Sequence, residues 1–269
     1  MTAVDVVIVS YNTRELTRQC VTSLTRSPPA GLGRIILVDN ASTDGTAASI
    51  REACPSATVI DSPRNAGFAA ANNVGLRQAT APLVLFLNSD TIVPPGAIEG
   101  LVSRVEATGA VAAGPQLTSP AGDIEISWGW MLTPATELRQ ALRVRAGRSA
   151  VAVLRRWATR LMRRERWVDW VSGACLLVNR QAALAAGLFD ERFFMYEEDI
   201  DFCAALRAAG GRILFTPAVR ITHLGGGSAP RATLREYYDR SHLAFYAKHA
   251  PHWAAWLRLW QRLRGRSIR

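Results

Sequence analysis

No stretch of this 269-residue chain approaches the roughly 18 consecutive apolar residues that a transmembrane helix requires. Its start, Met1-Thr2-Ala3-Val4-Asp5, carries no basic region ahead of an apolar stretch, so no signal peptide is expected. Cysteine is scarce: Cys20, Cys54, Cys175 and Cys203 lie far apart with no Cys-x-x-Cys pair. That spacing suits buried thiols in a reducing cytosol better than a zinc site or a disulfide frame. Internal repeats and low-complexity linkers are missing too. What is present is a hydrophobic fraction of 49%, which excludes a disordered chain. The length is enough to bury a full core, most simply as one domain with an appendage.

The formal net charge of +10 is unevenly placed. Arg139, Arg143, Arg145, Arg148, Arg155, Arg156, Arg160, Arg163, Arg164 and Arg166 fall in one segment, and Arg258, Arg262, Arg264, Arg266 and Arg269 close the chain. Such clusters select anionic membrane or nucleic acid as candidate partners.

Strand and helix patterns alternate through the first half. Val4 to Ser10, Arg34 to Val38, Thr58 to Ile60 and Leu83 to Leu87 read as strands, the last a fully apolar run expected of a central parallel strand. Helices are expected over Thr13 to Thr25, Thr46 to Ala53, Ala66 to Ala79, and from Pro94-Pro95 to about Ala107. The basic stretch from Leu138 to Trp167, with Leu154, Trp157, Leu161 and Met162 spaced for one helical face, reads as an insertion. The core then resumes with a strand over Val171 to Val178, a helix over Glu198 to Ala208, and strands near Arg212 to Phe215 and Val219 to His223. From Leu234 onward the chain is helical and rich in Tyr, Trp and Arg. The fold class is therefore α/β, a mostly parallel sheet flanked by helices. Residues 1–230 are expected to form the main domain, with a basic helical insertion at about 132–167 and a helical tail over 231–269.

Acidic residues stand where strands end. Asp39 follows Ile35-Ile36-Leu37-Val38, Asp90 follows the run ending Leu87-Asn88-Ser89, and Glu197-Glu198-Asp199 precedes a helix. In an open α/β sheet the carboxyl ends of strands line the ligand crevice. Asp39 suits a base N–H or a ribose hydroxyl, or else caps its own turn. Gly67 permits close backbone approach, and Asn72 and Asn73 are poor helix choices unless they have a polar duty. Asp90 suits a divalent ion bound to a diphosphate, because magnesium and manganese prefer oxygen ligands and share them with substrate phosphates. Gly173 and Ala174 would let a ligand approach the backbone closely, and Trp170 either stacks on a ligand ring or packs in the core. Glu197 and Asp201 read as the acidic first turn of a helix. His249-x-x-His252 reads as a surface pair, with Pro251 arguing against a helical metal site.

Taken in order, these motifs resemble the family 2 glycosyltransferases of the GT-A fold, and their rhamnosyltransferase-like branch in particular. The matching pieces are Ser10-Tyr11-Asn12, Val38-Asp39-Asn40-Ala41-Ser42-Thr43-Asp44-Gly45-Thr46, Asn65-Ala66-Gly67-Phe68-Ala69 with Asn72-Asn73, and Leu87-Asn88-Ser89-Asp90-Thr91. Trp170-Val171-Ser172-Gly173-Ala174, Phe189 through Asp201, and His223-Leu224-Gly225-Gly226-Gly227-Ser228 follow. The resemblance implies inverting transfer from a nucleotide sugar, dTDP-rhamnose or a UDP-sugar, to a hydroxyl of a glycan or polyprenyl-linked acceptor in envelope polysaccharide synthesis. It implies Asp199 as general base, against the plainer reading of a helix N-terminal acid. Donor contacts are expected at Ser10, Tyr11, Asn12, Asp39, Asn65, Gly67, Asn72, Asn88, Ser89 and Asp90. Acceptor contacts are expected at Trp170, Gly173, Ala174 and Glu198, and a Mg2+ or Mn2+ ion at Asp90 and His223. The chain departs from the family at Asn88, where an Asp-x-Asp metal motif would place a carboxylate, and the insertion maps to no family motif.

Arg interleaved with Trp and Leu reads as an interfacial design, with Trp253, Trp256, Leu257, Trp260 and Leu263 beside Arg258, Arg262 and Arg264. A peripheral enzyme at the cytoplasmic face of an anionic membrane is expected, with no nucleic-acid partner. A sugar-nucleotide nucleotidyltransferase is disfavoured, because Ser10-Tyr11-Asn12-Thr13-Arg14 holds no glycine where such an enzyme needs a Gly-rich loop. A nucleic-acid-binding protein using the Arg segments would show a recognised motif, and none appears.

Overall fold

The computed structural model describes residues 2–147, 153, 160, 162–225 and 231–263. The first half runs β1 (Val4–Ser10), α1 (Arg14–Thr25), β2 (Leu32–Asp39), α2 (Thr46–Ala53), β3 (Thr58–Asp61), α3 (Phe68–Gln78) and β4 (Leu83–Asn88). It continues through β5 (Thr91–Ile92), α4 (Ala97–Thr108), β6 (Ala112–Thr118), β7 (Trp128–Gly129) and α5 (Pro134–Gly147). The second half holds β8 (Arg166–Val168), β9 (Trp170–Val171), β10 (Cys175–Asn179), α6 (Arg180–Ala185) and α7 (Glu198–Ala208). β11 (Ile213–His223), α8 (Arg231–His249) and α9 (Pro251–Leu263) complete it.

The main sheet has the order β3-β2-β1-β4-β10-β6-β11-β5, with β8 beside β11. β1 pairs in parallel with β2 and β4, and β2 with β3, while β10 runs antiparallel between β4 and β6. The ends of β1, β2 and β4 therefore open onto one edge. β1 is apolar at nearly every position because both faces are covered. Val4, Val6 and Ile8 join one core with Cys20 and Leu24 of α1 and Leu101 of α4. Val7 and Val9 join the other with Phe86, Phe189 and Phe202. Phe189 stacks on Phe202 at 4.2 Å between ring centroids and meets Phe86 edge-on at 4.9 Å. At the opposite edge the buried Asp5 accepts from the amides of Arg34, Thr80 and Ala81 at 2.6–2.9 Å, a purely structural use of a carboxylate.

The structure departs from the strand expectations in two places. Val171 to Val178 is not one strand: β9 ends at Val171, and residues 172–174 leave the ladder before β10 begins. There the amide of Ser172 bonds to Ser127 O and that of Gly173 to the Asp199 carboxylate, so neither is free for a neighbouring strand. Conversely, the two strands expected on either side of Pro217 are the single β11. Its pairing with β6 shifts register between Thr216 and Arg220, where proline supplies no donor.

Two helical regions flank the sheet. α5 carries Leu138 and Leu142 exposed at 63% and 59%. Leu154, Trp157 and Leu161, expected on the same face, lie outside the described residues. The tail is not a loose appendage, since Phe245 of α8 is fully buried in the Phe86 core. α9 folds back on α8, with Ala254 and Leu257 packed against Tyr246. Leu257, expected on the interfacial face, thus points inward, whereas Trp253 and Leu259 remain exposed.

Candidate active site

At the carboxyl edge of β1 and β4 lies a cavity of about 460 Å³. Tyr11 and Thr13 from the end of β1 line it, as do Asn88, Ser89 and Asp90 from the end of β4. The loop before α3 contributes Asn65 and Gly67. Asn40 builds that wall: its amide nitrogen donates to Asn65 Oδ1 at 2.7 Å, and its Oδ1 accepts from the Ala66 amide at 3.1 Å. Gly67 sits at φ +89°, and a Cβ there would lie 2.5 Å from Phe194 O. The Phe68 amide donates to that same oxygen at 2.7 Å, joining two walls that are distant in sequence.

One side of the cavity is formed where β5 pairs with β11, setting His223 opposite Thr91. His223 Nε2 lies 3.3 Å from Asp90 Oδ1, and its Nδ1 lies 2.9 Å from Glu125 Oε2. The bond to Asp90, opposed by burial and assisted by Glu125, raises the imidazole to about 9. Nearby, Asn88 Oδ1 is buried with no hydrogen-bond partner among the described residues. Buried polar atoms are normally satisfied, so an orphan lining a cavity marks a place for a ligand group.

Elsewhere the cavity is lined by residues 172–174 and by the start of α7. Asp199 Oδ2 accepts from the Gly173 amide at 2.7 Å and Oδ1 from the Ile200 amide at 2.8 Å. Burial raises the Asp199 carboxyl above its ordinary range, against these two amide donors. Glu198 is pushed well above its own range by burial and then by the charge of Asp199, and its Oε2 has no partner among the described residues. Immediately before them, Tyr196 and Glu197 hold left-handed φ values of +74° and +64°. Such conformations in non-glycine residues cost free energy and persist where the surroundings over-determine them.

The structure thus gathers Tyr11, Asn65, Gly67, Asn88, Ser89, Asp90, Gly173, Ala174, Glu198, Asp199 and His223 around one space. Five expected contacts are absent from its walls. Ser10 is buried and bonds to Thr13 and Thr17. Asn12 turns its Oδ1 to the Thr43 amide. Asn72 donates to Phe68 O, so its polar duty lies within its own helix. Trp170 belongs to the core: it is buried over Gly129, and its indole donates to Trp130 O at 2.9 Å. Asp39 lies at the end of β2, with Oδ1 buried and without a hydrogen-bond partner among the described residues. Burial, opposed by Ser42, raises its carboxyl.

Other residues escaped the sequence reading. Asn40 and Thr13 line the cavity, although the donor contacts expected from the sequence fall on their neighbours Asp39 and Asn12. Glu197 is no solvated helix acid: it is buried against His242, with 2.6 Å between Oε1 and Nδ1. Asp201 is 2% exposed and pairs with Lys248 and His249, while His249 itself stays at the surface as expected. No sequence periodicity marks such pairs across 40 to 50 positions.

The family model for glycosyl transferase family 2 matches residues 5–184. An N-acetylglucosaminyl-diphospho-decaprenol L-rhamnosyltransferase of Mycobacterium tuberculosis is 31% identical over 250 residues, covering 83% of this chain and 78% of that protein. A mannosyltransferase from Pyrobaculum calidifontis, solved with GDP-Man and Mn2+, superposes with a TM-score of 0.62 at 18% identity. That match covers 92% of this chain and 64% of the neighbour. GalNAc-T7, solved with UDP, GalNAc and Mn2+, gives 0.64 at 18% identity over 93% of this chain and 51% of its own. At that identity the two structures establish the fold, a GT-A sheet flanked by helices.

Proposed function

The chain belongs to glycosyl transferase family 2, and from that membership we propose that it moves rhamnose from dTDP-rhamnose, with inversion, to a hydroxyl of a polyprenyl-linked glycan. The observation that carries the reading is a single cavity lined by Asp90, His223 and Asp199 and by the unpartnered oxygens of Asn88 and Glu198. The donor nucleotide lies against Tyr11, Asn65 and Gly67, with the free Asp39 oxygen near the base or ribose.

In one displacement the acceptor oxygen bonds to the anomeric carbon, the bond from that carbon to the diphosphate breaks, and the acceptor proton passes to Asp199. A positioned carboxylate contributes about 10²–10⁴-fold to such a step. Glu198 and the backbone at Gly173 and Ala174 orient the acceptor. Asp90 and the Asn88 amide oxygen fit a Mg2+ or Mn2+ ion, and His223 would join them on giving up its proton as the ion arrives. Among the described residues no three His, Cys, Asp or Glu side chains form a ready metal cage, so phosphate oxygens and water would complete the set. Such an ion supplies charge neutralisation for the departing diphosphate.

Residues 1–230 constitute the transferase unit and 231–269 its tail. Leu138 and Leu142 of α5 and Trp253 and Leu259 of α9 are exposed apolar side chains among arginines. They suit peripheral binding to the inner face of an anionic membrane, where a lipid-linked acceptor is presented. The test is transfer to polyprenyl-diphosphate-linked N-acetylglucosamine from dTDP-rhamnose and a panel of UDP- and GDP-sugars, with Mn2+ or with EDTA, read by mass spectrometry. Transfer from dTDP-rhamnose that EDTA suppresses is expected. No transfer from any donor, and no thermal shift with any nucleotide, would refute the reading.

A further inference from the structure

The left-handed turn that delivers Asp199 is held from outside by the tail helix. Ser241 Oγ donates to Met195 O at 2.7 Å, and Tyr237 packs on Phe194 with centroids 4.7 Å apart. Lys248, the sole lysine of the chain, reaches Asp190 and Asp201 on either side of the turn at 2.8 and 2.7 Å. At the centre of this array is His242, 7% exposed and lying outside the cavity wall.

His242 uses both ring nitrogens. Nδ1 lies 2.6 Å from Glu197 Oε1, and Nε2 lies 3.5 Å from Glu137 Oε2 on α5. Two carboxylates facing the two nitrogens of one ring select the doubly protonated imidazolium, the only form that donates to both. Tyr238 stacks on the ring at 5.3 Å between centroids, Tyr246 meets it edge-on at 5.0 Å, and the Tyr246 hydroxyl donates to Glu137 Oε1. Glu197 has φ +64° and immediately precedes Glu198 and Asp199. A backbone of that kind stays in place only while its side chain is restrained.

We propose that His242 is a positioning residue for the transfer reaction, bridging Glu197 to Glu137 so that the turn at Tyr196 and Glu197 holds Asp199 against the Gly173 amide. The bridge also connects α5, which exposes Leu138 next to Glu137, to the base. The inference rests on the transferase reading for its kinetic arm, but not for its structural one.

Full-length wild type, His242→Ala, His242→Gln and Glu137→Gln are compared in kcat, in KM for donor and acceptor, and in hydrogen–deuterium exchange. Expected for His242→Ala are a kcat lowered at least tenfold, a donor KM within about twofold of wild type, and faster exchange confined to residues 195–200. His242→Gln keeps an N–H donor for Glu197 and should recover part of the lost kcat. Glu137→Gln leaves the inner bond intact and should cost less than His242→Ala. A merely structural role predicts instead a lowered melting point with kcat per folded molecule and exchange at 195–200 unchanged. Wild-type kcat and exchange in both His242 variants would overturn the proposal. Should His242→Ala not fold, His242→Gln and Glu137→Gln decide by the same criteria. If wild type transfers no sugar the functional reading fails, and exchange at 195–200 still decides whether His242 holds the turn.

Discussion

Glu198 is buried at the cavity wall, with one carboxylate oxygen unpartnered among the described residues. A buried acid raised above its unfolded pKa binds its proton more tightly in the native state. Stability is therefore lost as pH rises from about 4, the ordinary Glu value, up through the raised one. Glu198→Gln should raise the melting temperature at pH 7 by about 2–4 °C, the response of a large domain to roughly 1 kcal/mol, while lowering transfer. The gain should vanish near pH 4, and a variant melting at or below wild type at pH 7 would count against an uncompensated charge. At this scale the sequence was legible wherever a residue's duty follows from its place along a strand. Asp90 and Asn88 end a central parallel strand, so the crevice rule alone delivers them to the cavity. Trp170 and Asn72 follow no such rule. Their use depends on which way a short strand or helix faces, and Gly129 and Phe68 O respectively claim them.

Among the elements, the tail helix α8 braces the turn that precedes Asp199. Burial opposes the charge of His242, yet its bonds to Glu137 and Glu197 win and raise it from 6.5 to about 10. The sign follows: this stabilisation is fully present below about pH 6.5 and is lost progressively as pH approaches 10. Wild type should therefore lose several degrees of melting temperature between pH 7 and 10, and His242→Gln should lose less. Parallel melting curves for the two proteins would show that the ring carries no such charge. The alternating β/α elements of the first half were legible because hydrophobic period and turn residues agree there. The break at residues 172–174 was not, because Val171 to Val178 reads as one apolar run. What interrupts it is a long-range bond from Gly173 to Asp199. The role of α8 was hidden likewise, since its composition of Tyr, His and Arg reads as surface until Phe245 and His242 are seen to be buried.

For the molecule as a whole, the proposed membrane association rests on the exposed leucines of α5 and the exposed Trp253 and Leu259 of α9. The protein should float with anionic liposomes at low salt and release at high salt, because each basic residue near the surface adds about 1 kcal/mol and is screened within a Debye length. Leu138→Asp with Leu142→Asp should weaken partitioning about tenfold or more, as expected from removing two side chains that bury roughly 1.5–3 kcal/mol each. Wild type left entirely unfloated would remove the membrane from the account. The central claim, that one cavity holds both the donor site and the base, is tested most directly by Asp199→Asn. Nucleotide affinity by calorimetry should stay within about twofold of wild type, while transfer falls by at least about 10²-fold and its acid limb disappears. Undiminished transfer by Asp199→Asn would contradict the account at its base.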